Sequence, residues 1–214
     1  MYIANNVLEH HLQNVYFIGG TACGGKTTMS QLIAKKYGMF YYNADDAMIE
    51  HLKIAKKEYQ PAMSKQFESA EAYFNRPVQE YSKWILDINA EALDMILMDL
   101  IKLSNTQCVI VEGHFDAKLL KKFVPYHKAF FLYAESDIIK RDYFDREDKV
   151  PMLNAINKLS DSPKIINHVL DVSAKISEIQ LKSAKDNQFK YMVRDFNSTI
   201  DKTLKIIENH FQLS

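Results

Sequence analysis

The sequence predicts an α/β domain wound on both faces of a parallel β-sheet, and three observations carry that prediction. Five short apolar runs, Val15 to Ile18, Phe40 to Tyr42, Cys108 to Val111, Ala129 to Tyr133 and Phe189 to Val193, are separated by much longer stretches. All but the last are nearly continuous in apolar or aromatic residues, as strands covered on both faces require. The stretches between them carry apolar residues at spacings of three and four, so helical crossovers join the strands.

The first run closes on Gly19-Gly20 and opens into Gly20-Thr-Ala-Cys-Gly-Gly25-Lys26-Thr27, a full match to GxxxxGK[ST]. A helical pattern over Lys26 to Tyr37 follows at once. Strand, glycine-rich turn and helix therefore stand in the order that a phosphate cradle needs, with backbone N–H groups and a helix N-terminus aimed at phosphate oxygens. Gly20, Thr21, Ala22, Cys23, Gly24, Gly25, Lys26, Thr27 and Thr28 form the candidate nucleotide site. Lys26 would neutralise β- and γ-phosphate charge, and the Thr27 hydroxyl would ligate Mg²⁺. Cys23 reads as filler in the loop, since nothing in the sequence argues for a thiolate.

The second run leads into Tyr41-Tyr42-Asn43-Ala44-Asp45-Asp46. Carboxylates there lie at the C-terminal edge of the sheet, where open α/β sheets bind ligands. Asp45 or Asp46 would orient or deprotonate an acceptor hydroxyl, or cap the next helix. From Asp46 to Asn105 there is no strand signal. Val78, Tyr81, Ile85, Ile88, Ala92, Met95 and Leu100 instead mark one long amphipathic helix, preceded by shorter helical pieces broken at Pro61 and Pro77.

Glu112 ends the third run and is followed by Gly113-His114. A carboxylate at that edge would hold Mg²⁺ through water or orient the acceptor, unless it is a plain strand-end charge. His114 reads as an exposed or hydrogen-bonded loop histidine. After the fourth run a second helical excursion extends from Asp137 to about Lys185, with a turn at Ser160 to Pro163. The final helix is expected to start at Ser198, capped by its hydroxyl, with Asp201 completing a capping box.

Over 214 residues, 27 basic side chains balance 27 acidic ones, so no global positive field gathers nucleic acid or an anionic membrane. Two cysteines, Cys23 and Cys108, in no metal-ligand spacing exclude a disulfide framework or structural zinc and fit a reducing, cytoplasmic setting. No uninterrupted apolar stretch approaches the ~18 residues of a membrane span, and neither export nor insertion is expected. Of the 27 basic side chains 23 are lysines, which puts weight on Arg76, Arg141, Arg146 and Arg194, because bidentate phosphate recognition is what lysine does poorly. Arg141 and Arg146 follow the fourth run in a stretch that also holds Asp142, Asp145, Glu147 and Asp148. They would contact phosphate, or else belong to a solvated helix in which Arg146 pairs with Asp142. Arg76 stands before Pro77, as an acceptor contact or a surface turn residue.

From FIGGTACGGKTT through YYNADD, VIVEGHF and the Arg141 to Arg146 stretch, the chain resembles the adenylate-kinase-like branch of P-loop kinases, the group of shikimate kinase, gluconate kinase, chloramphenicol phosphotransferase and zeta-type toxins. That resemblance implies a three-layer P-loop NTPase fold with a five-stranded parallel sheet of order 2-3-1-4-5. It also implies a single domain over 1–214, a substrate-binding insert at 47–105, and a lid with its following helix at 137–185. Arg141 and Arg146 would be lid arginines that close over the nucleotide, and Arg194 would adjoin the adenine. The implied activity is transfer of the ATP γ-phosphate, with Mg²⁺, to a hydroxyl of a small polar metabolite or nucleoside. Lys26, Asp45, Asp46, Glu112, Arg141 and Arg146 would carry the catalysis, and Thr27 and Glu112 the metal. The alternatives are a nucleoside monophosphate kinase, disfavoured by one arginine in 47–105, and a nucleotide switch or sensor. A guanine-specific switch is disfavoured because Asn157-Lys-Leu-Ser160 ends on serine where a carboxylate is required.

Overall fold

Residues 3–213 are described in the computed structural model of the chain. Helix α1 (Asn5–His11) precedes strand β1 (Val15–Gly20), helix α2 (Lys26–Tyr37), strand β2 (Phe40–Asn43) and helix α3 (Ala44–Ile54). Helices α4 (Ala70–Phe74) and α5 (Val78–Ser104) lead to strand β3 (Val109–Glu112), helix α6 (Ala117–Leu120) and strand β4 (Ala129–Ala134). Helices α7 (Ser136–Asp142), α8 (Val150–Ile156) and α9 (Ser162–Asp186), strand β5 (Lys190–Arg194) and helix α10 (Ile200–Phe211) complete the chain. The five strands form one parallel sheet in the order β2-β3-β1-β4-β5.

Burial explains the strand pattern. Every residue of β3 and β4 is buried, whereas the edge strands β2 and β5 are mostly half-exposed. Successive residues of one strand serve opposite layers. Phe17, Val109, Val111 and Phe131 pack with Leu97 and Leu100 of α5, while Ile18, Ile110, Phe130 and Leu132 pack with Ile33 of α2 and Phe211 of α10. Each such side chain removed from water contributes on the order of 2 kcal/mol, so the central strands are apolar along their length, with the buried carboxylate of Glu112 as the exception at the C-terminal edge of β3.

Three local expectations are corrected. Helix α10 is capped by Thr199, whose hydroxyl accepts from Lys202 N at 3.4 Å. Ser198 instead donates to Asp195 Oδ1 at 2.7 Å and accepts from Asp195 N at 3.1 Å, so the Ser198/Asp201 capping box does not form. Neither Asp45 nor Asp46 caps α3: the Asn43 side chain accepts from both of their backbone N–H groups, at 2.9 and 3.4 Å. The acidic and basic stretch after β4 is not one solvated helix, because α7 ends at Asp142 and Arg146 lies in extended backbone. Helix α1 was not anticipated. It has no side-chain cap and holds onto the core through Leu8, with Leu12 just beyond it, a stretch too short for periodicity to reveal.

The loop after β1 is pressed against β4. Thr21 N donates to Leu132 O at 3.1 Å, and Gly20 has φ +125° with a Cβ position only 1.8 Å from the Leu132 carbonyl oxygen. Gly38, at the C-terminus of α2, has φ +64° but nothing within 4 Å of its Cβ position. Gly38→Ala should therefore cost about 1 kcal/mol, the left-handed penalty alone, and Gly20→Ala about 3 kcal/mol or more, because backbone must move as well. Urea-unfolding midpoints of the two variants check this; equal losses would contradict the close approach.

Candidate active site

The phosphate loop is set by its backbone. Gly25 leads into α2 in a left-handed conformation, as does Cys23 at φ +61°, and the loop curls so that Lys26 Nζ donates back to Thr21 O at 3.1 Å. Burial pushes the Lys26 ammonium below its ordinary range, although Asp45 and Glu112 pull the other way. Thr27 and Thr28 are exposed on the first turn of α2. Cys23 is partly buried, which raises its thiol above the usual range despite Arg146 and Arg194 nearby.

Around this loop the sheet edge gathers the acidic residues. Glu112, the last residue of β3, is buried and accepts from the Tyr41 hydroxyl at 2.5 Å. Asp45 and Asp46 begin α3 and line a cleft that also holds His114, Arg146 and Lys149. Protein atoms around the Asp45 carboxyl would raise it, but His114, Lys26, Lys149 and Arg146 outweigh that and hold it below the ordinary range. His114 departs from its expected reading. It is neither exposed nor hydrogen-bonded at Nδ1, and burial with Lys26 close by pushes its imidazole down to about 3.

The four arginines separate. Arg146 faces the loop and pairs through Nε and Nη2 with the Asp148 carboxylate, at 2.9 and 3.0 Å, not with Asp142. Arg194 also faces the loop: Nη1 donates to Cys23 O at 2.9 Å and Nη2 lies 3.2 Å from Asp142 Oδ2. Arg141 points elsewhere, exposed, bonded to Asp142 and 4.9 Å above the Phe196 ring. Arg76 is neither a surface residue nor a cleft residue. It is 7% exposed, with its guanidinium 4.0 Å from the Tyr81 ring and 4.2 Å from those of Phe67 and Trp84. The aromatic residues flanking Arg76 in the sequence were the available signal.

Three cavities join along this edge. One lies between α2 and α10, lined by Gly24, Gly25, Thr28, Met29, Arg194 and Thr199. The middle one is lined by Thr21, Lys26, Thr27, Arg146 and Arg194, and the third is the Asp45 cleft, of about 420 Å³. Gly25, Thr28 and Arg194 line the first two, Thr21 and Arg146 the second two, so they form one continuous trough over the loop. Among the described residues no group of three or more His, Cys, Asp or Glu is arranged as a metal centre, and no helix is long and apolar enough to cross a membrane.

The sheet order and the loop define a three-layer P-loop fold. Solved structures agree. Shikimate kinase from Acinetobacter baumannii, determined in complex with shikimate, matches at 12% identity and a TM-score of 0.50, over 95% of this chain and 97% of that one. Shikimate kinase from Bacteroides thetaiotaomicron matches at 13% identity and a TM-score of 0.51, over 93% of this chain and 98% of that one. No family model matches the chain, and no curated protein does.

Because His114 is held neutral in the fold, the unfolded chain binds a proton there first as pH falls below about 6.5. Stability is thus lost on going from pH 6.5 toward 4.5, with a slope approaching about 1.4 kcal/mol per pH unit from this group. His114→Gln should flatten that slope by close to one proton, measured by denaturant unfolding across the range. An unchanged slope would show that the imidazole is not desolvated.

Proposed function

We propose that the chain is an ATP-dependent phosphotransferase that moves the γ-phosphate to a hydroxyl of a small polar metabolite or nucleoside. The observation that carries this reading is the continuous trough, with Lys26 and the loop at its middle and a different chemical environment at each end. The cavity by α10 suits the adenosine, with Arg194 beside it. The loop from Gly20 to Thr28 takes the phosphates, and Asp45 or Asp46 orients the acceptor hydroxyl in the third cavity. The shared shikimate-kinase fold supports the same arrangement.

Residues 47–105 then act as the acceptor-binding insert, since Tyr73, Tyr81, Ile85 and Asn89 line the third cavity. Residues 137–185 act as the lid and its following helix, supplying Arg146 and Lys149. Arg146 is the better placed of the two lid arginines, and Arg141 would join it only through a movement of α7. The Thr27 hydroxyl and the Glu112 carboxylate are the hard oxygen donors that Mg²⁺ takes, with Glu112 reaching it through water. When bound, the ion neutralises charge on the β- and γ-phosphates.

Two measurements test the reading. Lys26→Met should weaken MgATP binding at least about ten-fold by calorimetry, yet leave thermal stability equal or higher, because a buried ammonium is removed from an environment that disfavours its charge. Unchanged ATP affinity would sink the phosphotransferase reading. Arg146→Ala should lower ADP release by about a hundred-fold, the usual effect of losing one charge-stabilising donor, while Arg141→Ala stays within about three-fold. The reverse ranking would place Arg141 over the phosphates and Arg146 outside the reaction.

A further inference from the structure

The acceptor cleft carries its own statement about the charge of what it takes. Three carboxylates line it: Asp45, Asp46 and Asp148. Its only arginine and lysine, Arg146 and Lys149, are both engaged by Asp148, Arg146 through two hydrogen bonds and Lys149 Nζ at 3.0 Å from Oδ2. Arg146 also stands at the end of the cleft shared with the phosphate loop, and Lys149 is close enough to act on Lys26, so both would be drawn to the transferring group.

The remaining arginine of the insert is withheld from the cleft. Tyr73 and Tyr81 line the cavity, and Arg76 packs on their rings without lining it. Its guanidinium Nη1 and Nη2 have no hydrogen-bond partner; the charge rests on aromatic faces, and Nε donates to Tyr73 O at 2.9 Å. A carboxylate or phosphate entering the cleft would therefore meet Asp45 and Asp46, while the cations that act on Asp45 either sit in the phosphate loop, as Lys26 does, or are engaged by Asp148, as Arg146 and Lys149 are, and like charges in a partly desolvated cleft repel strongly.

What the cleft does offer is uncharged. Met152, Val169, Val172 and Ile176 supply an aliphatic wall and Tyr73, Tyr81 and Tyr143 an aromatic one. Asn89, on α5, contributes a side-chain amide nitrogen that is buried and without a partner. Such a group costs free energy until a ligand oxygen or nitrogen satisfies it.

Building on the phosphotransferase reading above, we infer that the acceptor is an electrically neutral, hydroxyl-bearing ring compound, of the nucleoside or neutral-sugar class, and that carboxylate- or monophosphate-bearing acceptors are rejected. Asp45 and Asp46 face its hydroxyl, the Asn89 amide satisfies a ring oxygen or nitrogen, and its less polar face lies on the aliphatic and tyrosine walls.

The test uses pairs of compounds that share a ring framework and differ in charge: uridine with uridine 5′-monophosphate, glucose with glucuronate, and methyl shikimate with shikimate. MgATP binding is measured first by calorimetry on the same protein; its absence would remove the phosphotransferase reading itself. Each compound is then assayed for ADP release and, with a non-hydrolysable ATP analogue present, for quenching of Trp84, the sole tryptophan of the chain, which packs against Tyr73 and Tyr81 behind the cleft. The expected result is that at least one neutral member is recognised and is preferred at least ten-fold over its anionic partner. In Asp46→Asn that preference narrows several-fold in the binding readout, as repulsion of the anionic partner is relieved. Preference for an anionic member in any pair overturns the inference and leaves the phosphotransferase reading intact. So does MgATP binding without recognition of any neutral member.

Discussion

The contact on which the rest of the molecule depends is the backbone seam between the phosphate loop and β4. Gly20 and Gly24 both approach the Leu132 carbonyl so closely that a methyl group at either would overlap it, and the same carbonyl accepts from Thr21 N. That seam fixes where the loop turns and hence where α2 begins. It also fixes where Lys26 can reach. Because β4 is buried along its whole length, the loop is cast against a close-packed template.

The sheet edge works because its charges share one site. Burial disfavours the charge of Lys26, and Asp45 in the first turn of α3 and Glu112 at the end of β3 favour it. Asp45 in turn is kept ionised by Lys26, Lys149 and Arg146. These groups come from α2, α3 and the segment between α7 and α8, which are distant in sequence and converge because the strands that lead to them, β1, β2 and β4, end at one edge of the sheet in the order β2-β3-β1-β4.

The parts of this arrangement legible in the sequence are those set by local rules. Continuous apolar runs declare strands buried on both faces, and GxxxxGK[ST] between a strand and a helix declares the loop. The helix caps were legible only in kind: Thr199 took the role read for Ser198, and Asn43 the role read for the adjacent aspartates, since neighbouring polar residues compete for one capping position and packing decides the winner. The surroundings of Arg76 and His114 were not legible. An arginine in a turn and a histidine after a strand look solvent-bound until tertiary structure closes four aromatic rings around the first and burial in the cleft leaves Nδ1 of the second without a partner.

Arg194 joins pieces of the chain that are far apart in sequence. Its guanidinium holds the carbonyl of Cys23 in the phosphate loop and the carboxylate of Asp142 at the end of α7, and that same carboxylate holds Arg141. The carboxylate that holds Arg141 is therefore the one tied, through Arg194, to the loop itself, so the placing of α7 and the shape of the loop rest on one chain of polar contacts.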